Sequence, residues 1–359
     1  MSLRFGKKAS RTGTAWRQGL NRRGFLSGET RLCRNGQRPV YSKISVPMLH
    51  TLTKSRQICE PLTCSCFQSD VQFTFPTTHQ SSSASMANVT RRASIATALR
   101  AAGCVFAEDE ARLLLDAANH PDELNRMVEQ RVGGQPLEHI VGWTEFCGTR
   151  MSVGPGVFVP RRRTEFLVHQ ATLIAKPGAV VVDLCCGSGA IGAAVSDVLG
   201  NCELHAADID PAAVHCARRN VEPRGGRVHQ GDLFGALPRQ LLGRVDVLLA
   251  NAPYVPTDSI GMMPPEARLH EPLVALDGGA DGLAVQRRVA QGAAEWLAPG
   301  GSLLVETSET QASGTAGIMA RAGLLPRVVS DDDLDATLVL GSPDASAFGP
   351  ESAPLRGLS

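Results

Sequence analysis

The chain has 359 residues, 43% of them apolar and 20% charged, which suits a globular protein with a sizeable core; no apolar run reaches the ~18–20 residues of a membrane-spanning helix. Its formal net charge of +1 hides an uneven split, because residues 1–85 carry 13 Lys and Arg against Glu29, Glu60 and Asp70, leaving 23 basic and 32 acidic residues in the remainder. An acidic body argues against phosphate-backbone binding as the main role, so nucleic acid is not the expected partner.

Residues 1–86 read as a leader that is basic, acid-poor and without apolar periodicity, ending in Gln80-Ser81-Ser82-Ser83-Ala84-Ser85. This composition predicts disorder over 1–85. It fits an organellar transit peptide, or a dispensable stretch ahead of a true start at Met86. The protein is accordingly expected in the cytoplasm, or in mitochondria if the leader is genuine. Four of the five lysines (Lys7, Lys8, Lys43, Lys54) precede Met86 and only Lys176 follows. Four of the ten cysteines (Cys33, Cys59, Cys64, Cys66) also lie here. Cys59 and Cys64-Ser65-Cys66 have no matching Cys/His pair at finger spacing, so no metal site is expected and the thiols read as reduced.

From Thr90 the apolar spacing becomes helical, with Ile95, Leu99, Ala111, Leu114, Leu115 and Ala118 recurring every three to four residues. A second amphipathic stretch over 121–132 ends at Gly133-Gly134. Residues 87–134 thus form a small helical lobe, and 135–163 a β-hairpin linker with strand-like pieces at 138–141, 144–146 and 150–153. The turn Gly154-Pro155-Gly156 leads into Val157-Phe158-Val159-Pro160.

Over 164–343 strands and helices alternate. Helices are predicted at 164–175, 190–199, 212–220, 282–296 and 311–322, and strands at 179–184, 203–207, 227–230, 245–250, 301–306, 327–329 and 337–340. Residues 344–359 read as a flexible tail. This alternation specifies an α/β fold, a doubly wound, mainly parallel seven-stranded sheet of Rossmann-like type. Such sheets bind ligands beyond the carboxyl ends of their strands, which gives the motifs there most of the functional weight.

The first strand of the sheet runs into Asp183-Leu184-Cys185-Cys186-Gly187-Ser188-Gly189-Ala190. Gly187 and Gly189 allow close backbone approach to a ligand at a helix N-terminus. A pyrophosphate loop would avoid the opening carboxylate Asp183, whereas a sulfonium and an ammonium would welcome it. Asp208 ends the next strand, positioned for two ribose hydroxyls, and Asp232 follows the third, positioned for an adenine amino group. Helix capping explains any one of these aspartates; three acids at successive strand ends point to an S-adenosylmethionine site.

After the fourth strand come Asn251-Ala252-Pro253-Tyr254. An amide nitrogen is a poor nucleophile, and acceptors for its two hydrogens orient it and stabilise developing charge. The Asn251 side-chain oxygen and the Ala252 carbonyl offer such acceptors, Tyr254 a ring for a planar group, and Pro253 a stiff turn.

These residues resemble the protein-(glutamine-N5) methyltransferases of HemK/PrmC type, which methylate peptide-chain release factors. The likeness runs from about Ala111 to Gly341. It covers Gly134-Gln135-Pro136-Leu137-Glu138-His139-Ile140, Phe146, Gly148, Val157-Phe158-Val159-Pro160-Arg161 and Thr164-Glu165. It continues through the glycine turn, Asp208, Asn220, Asp232, Asn251, Pro253, Tyr254 and Glu271-Pro272.

The resemblance implies a class I S-adenosylmethionine-dependent methyltransferase fold, a protein substrate with an exposed glutamine such as a release factor, and a monomer. It further implies that Asn251 and Tyr254 hold the glutamine. Asp183, Cys185, Gly187 and Gly189 would line the methionine end of the cofactor, Asp208 its ribose and Asp232 its adenine edge, with Asn251 reaching the cofactor as well. Glu165 would help shape the pocket.

Four features depart from the family. Ala252 replaces a proline, Cys185 replaces a glycine, Arg162-Arg163 replace Pro-Glu/Asp, and the helical lobe is short. They mark a divergent branch and keep two other readings open: an amino-methyltransferase acting on adenine in nucleic acid, and a cofactor-binding protein without transfer activity.

Overall fold

The computed structural model describes residues 81–343. The leader up to residue 80, with its four cysteines, and the tail from 344 lie outside the described residues.

Helix α1 (Ser81–Ala101) packs against α2 (Ala107–Ala117) and α3 (Pro121–Val132). Ile95, Ala96, Leu99, Ala107, Ala111, Leu114, Leu124 and Met127 form their shared core. Residues 81–85, expected to be irregular, are instead the first turns of α1. Once Ile95 and Leu99 anchor the helix, extending it N-terminally costs little, because nucleation is the unfavourable step.

The expected strand at 138–141 is instead helix α4 (Leu137–Val141). Pro136 supplies its carbonyl to the His139 and Ile140 N–H groups, and Gly142, at φ 83°, closes it in the left-handed conformation. β1 (Trp143–Phe146) and β2 (Thr149–Ser152) follow as an antiparallel hairpin. Its two-residue turn, Cys147-Gly148, has φ of 50° and 70°, the positive pair that matches the twist of hairpin strands.

The sheet is built from β3 (Val180–Leu184), β4 (Glu203–Asp208), β5 (Arg227–Gln230), β6 (Val245–Ala250), β7 (Leu297–Thr307), β8 (Leu325–Asp331) and β9 (Ala336–Ser342). Its order is β5-β4-β3-β6-β7-β9-β8, with β9 alone antiparallel to its neighbours. This is the mainly parallel, class I methyltransferase arrangement read from the sequence. The order reverses between β3 and β6, which opens a crevice at their carboxyl ends.

Strand alternation sorts the core onto two faces. Val181, Ala206, Val247, Leu249 and Leu304 meet α5 (Glu165–Ile174), α6 (Ala190–Leu199) and α7 (Pro211–Val221). Val180, Val182, Leu184, Leu248, Leu303 and Val305 meet α9 (Ala284–Trp296) and α10 (Ala312–Arg321). A short helix α8 (Pro265–His270), not foreseen from the sequence, lies between β6 and α9.

Buried Asn220 on α7 ties the hairpin to the sheet. Its Nδ2 donates to the carbonyls of Ser152 (2.9 Å) and Ser188 (2.8 Å), and its Oδ1 accepts from the Ser152 N–H at 2.8 Å. Asn220→Ala would strand three backbone groups, so it should destabilise the fold by about 3 kcal/mol. Urea unfolding measures this, and a loss within experimental error would remove Asn220 as the tie.

Candidate active site

The turn after β3 owes its shape to three left-handed residues: Cys185 and Gly187 at φ 54° and Gly189 at 73°. Only Gly189 is crowded, since an added Cβ would lie 2.8 Å from Val221 Cγ2 on α7. Gly187 donates its N–H to Asp208 Oδ2 at 2.8 Å, joining the ends of β3 and β4.

Asp183 does not line the cavity, contrary to the expectation that it faces the cofactor. It shares the face of Val181 on the α6 side, fully buried, where Oδ2 accepts from the Gly192 N–H at 2.9 Å. Its Oδ1 has no hydrogen-bond partner. Burial, aided by the negative charge of Asp208 and opposed by the Gly192 N–H, pushes its carboxyl up to about 7. Gly189 likewise lies off the cavity wall, and its role is the close contact of α6 with α7.

One cavity at the carboxyl ends of β3, β4 and β6 brings together Cys185, Gly187, Asp208, Asp232, Asn251, Ala252, Pro253 and Tyr254. Burial raises the Asp208 carboxyl, against N–H groups that hold it down; Oδ1 accepts from Asp210 at 2.9 Å. Each oxygen keeps a lone pair, so the group can still accept from a vicinal diol. Asp232 is partly exposed at the rim and pairs with Arg288 on α9 at 2.6 Å, a partner unseen in the sequence. Ile209 and Leu233, each following one of these aspartates, also line the cavity. Ile209 is 51% exposed, and both offer apolar surface suited to an aromatic ring. The only sequence signal for them was adjacency to the acids.

On the opposite wall, Ala252 is fully buried and Asn251 Nδ2 approaches Thr164 Oγ1 at 3.5 Å. Tyr254 Oη accepts from Arg163 Nη2 at 2.7 Å and lies 3.4 Å from Glu306 Oε1. Burial and the nearby Glu306 charge push the phenol up to about 12, so it stays neutral. Glu306, at the end of β7, is almost wholly buried and was not singled out in the sequence. The glycine loop before α9 braces the same turn: Gly282 packs on the Tyr254 carbonyl so closely that a Cβ would stand 2.3 Å from it. Gln311 donates to that carbonyl at 2.9 Å.

The linker Val157–Arg161 reaches the cavity through Phe158 and Arg161. The Arg161 guanidinium lies 5.0 Å from the Phe158 ring centroid and pairs with buried Glu271 at 2.5 Å. This explains the Pro160-Arg161 and Glu271-Pro272 motifs as two halves of one contact. Glu165, expected at the pocket, turns away and accepts from the Cys147 N–H at 3.0 Å, pinning the hairpin turn.

Asp183 holds its proton to about pH 7 in the folded protein, whereas 3.8 is the ordinary value. Its contribution to stability is therefore present at low pH and lost as pH rises through that window. Relative to wild type, Asp183→Asn should gain roughly 3 kcal/mol between about pH 5 and about pH 8. Denaturant unfolding at both pH values tests this, and a constant difference would refute the buried-proton assignment.

Residues 151–262 match the family model described as "Methyltransferase small domain". The chain is 37% identical over 231 residues to a Geobacter sulfurreducens protein described as a release factor glutamine methyltransferase, covering 63% of this chain and 80% of that one. A Streptomyces coelicolor protein of the same description is 40% identical over 189 residues, covering 52% and 67%. A Streptomyces pristinaespiralis protein described as a 4-amino-L-phenylalanine/4-methylamino-L-phenylalanine methyltransferase is 34% identical over 210 residues, covering 56% and 71%. Identity of this degree over most of a relative's length, on a methyltransferase fold with its cavity at the switch point, assigns the chain to the release factor glutamine methyltransferase family.

Proposed function

We propose that the protein transfers a methyl group from S-adenosylmethionine to the side-chain amide nitrogen of a glutamine in a protein loop, the acceptor being a peptide-chain release factor. The observation that carries this reading is the polar edge of the transfer turn beside the cavity. Asn251 turns its Nδ2 toward Thr164 at 3.5 Å, leaving its carbonyl oxygen as an acceptor, and Ala252, which also lines the cavity, would offer its backbone carbonyl as the second. Together they match the two hydrogens of a primary amide.

The residues on the cofactor side fit the group. Asp208 has acceptor capacity that would suit the ribose hydroxyls, Ile209 and Leu233 would offer apolar surface to the adenine, and Asp232 would lie toward its edge. Cys185 and Gly187 line the turn without introducing positive charge, as a cationic ligand requires. Bound there, S-adenosylmethionine supplies an electrophilic methyl on a positively charged sulfur.

On the acceptor side, Asn251 and Ala252 accept the two N–H hydrogens and hold the nitrogen lone pair toward the methyl. As the C–N bond forms and the C–S bond to departing S-adenosylhomocysteine breaks, these hydrogen bonds strengthen with the positive charge on nitrogen. They so favour the transition state over the ground state, and one N–H proton then leaves to water. The Tyr254 ring would back the amide plane, and Phe158 and Val274 add apolar surface to the cavity wall.

The reading is tested by incubating the full chain with methyl-labelled S-adenosylmethionine and either a purified release factor or free 4-aminophenylalanine. Label on a glutamine, located by mass spectrometry, is the expected result; label on the arylamine alone would replace the proposal. Asn251→Ala should lower turnover by about 100-fold or more while leaving S-adenosylhomocysteine affinity within about twofold. Normal single-turnover rates in that variant would remove Asn251 from the acceptor site.

A further inference from the structure

Tyr254 is held at both ends. Its backbone carbonyl accepts from Gln311 Nε2 at 2.9 Å, and its phenol oxygen accepts from Arg163 Nη2 at 2.7 Å. Glu306 Oε1 lies 3.4 Å from the same phenol oxygen and 3.4 Å from Arg163 Nε. Three segments distant in the chain thus meet at one hydroxyl: the turn Arg162–Thr164 before α5, the transfer turn and the end of β7. Their backbones are well anchored. Thr164 and Phe166 are buried beside Arg163, and Ala250 of β6 pairs with Val305 of β7, next to Glu306.

Arg163 sets the direction of this contact. A guanidinium carries only donors and keeps its charge at any ordinary pH, so the phenol oxygen must accept from it. The single phenol hydrogen is then left for Glu306 Oε1. A carboxyl oxygen can accept whether the group is ionised or protonated, so this direction does not depend on the charge of Glu306. Glu306 lies off the cavity wall. The phenol therefore has no hydrogen to offer an acceptor amide, and its ring is what remains for the substrate.

A tyrosine ring swings on two side-chain torsions. With Gln311 on the carbonyl and Arg163 on the far oxygen, both ends of the side chain are fixed. Arg163 also stands at a departure from the family, whose pattern has an acid here. An ionised acid at this position would take the phenol hydrogen instead of donating to the oxygen.

We propose that Arg163 is a positioning residue that acts through the Tyr254 hydroxyl to hold the ring as a wall of the acceptor pocket. The inference rests on the glutamine-methylation reading and deepens it, because Tyr254 then contributes a fixed surface and no proton to the transfer.

The test compares full-length wild type, Arg163→Met, Arg163→Lys, Tyr254→Phe and the Arg163→Met/Tyr254→Phe double variant on a purified release factor. Arg163→Met and Tyr254→Phe should each lower kcat by roughly 10-fold, with acceptor KM within about threefold and S-adenosylhomocysteine affinity within about twofold. The double variant should be no worse than either single one, because both remove the same hydrogen bond. Arg163→Lys, which keeps a charged donor, should recover part of the turnover lost in Arg163→Met.

A second readout needs no acceptor. The chain has two tyrosines, Tyr41 and Tyr254, so labelling with 3-fluorotyrosine gives two 19F signals, assigned by Tyr254→Phe. Arg163→Met should move the Tyr254 signal and leave that of Tyr41 in place. Wild-type kcat in Arg163→Met or Tyr254→Phe, or an unmoved Tyr254 signal, would overturn the inference. So would additive losses in the double variant, which would make Arg163 a direct contact of the substrate. Should Arg163→Met fail to fold, Arg163→Lys takes its place in the cycle and in the fluorine spectrum, with a smaller loss expected. A wild type that methylates no glutamine, while the Tyr254 signal still moves with Arg163, would instead overturn the functional reading and leave the positioning of the ring standing.

Discussion

Strands β3 and β6 lie side by side, yet the chain leaves their carboxyl ends in opposite directions, toward β4 on one side and β7 on the other. That divergence opens the crevice on which the functional contacts depend. The Gly187–Asp208 hydrogen bond closes the ends of β3 and β4 on one wall. On the other, adjacency of β6 and β7 brings Asn251 beside Glu306. A helix-bundle core of similar size would bury as much apolar surface but would not bring these two walls face to face.

Three buried carboxylates around the crevice, Asp183, Glu271 and Glu306, each keep one oxygen without a hydrogen-bond partner. Burying such groups is costly unless neighbours compensate. Each has found a different remedy: the Gly192 N–H and a raised proton affinity for Asp183, the Arg161 guanidinium for Glu271, and Arg163 with Tyr254 for Glu306. Polar burial concentrated at one end of the sheet fits a site whose geometry is held at the expense of stability.

The departures from the family acquire physical content in the fold. Cys185 adopts a left-handed φ of 54° with a side chain where glycine would adopt it freely, a strain of about 1 kcal/mol. Ala252 is fully buried, and the change from proline leaves its backbone carbonyl in place. Arg163, rather than simply making the rim basic, donates to Tyr254 and lies against Glu306, so the substitution reaches the buried Tyr254–Glu306 contact behind the turn.

Much of the sheet could be read from the sequence, because apolar runs such as Val180–Leu184 and Val245–Ala250 are buried from both faces and leave a continuous signature. Asp208 and Asn251 line the cavity where the sequence put them, at strand ends beside a switch point. Periodicity failed where the outcome depended on contacts distant in the chain. Residues Leu137–Val141 coil into a helix because Pro136 and Gly142 bound them and His139 docks on the Val157 carbonyl at 2.8 Å. The same limit applies to direction within the site. The sequence by itself determined the doubly wound sheet, the glycine turn and the residue types of the transfer turn. Only the tertiary structure decided that Asp183 and Glu165 turn away from the cavity, that Arg288 meets Asp232, and that Glu306 stands beside Asn251, because each follows from contacts between distant segments that no local spacing encodes.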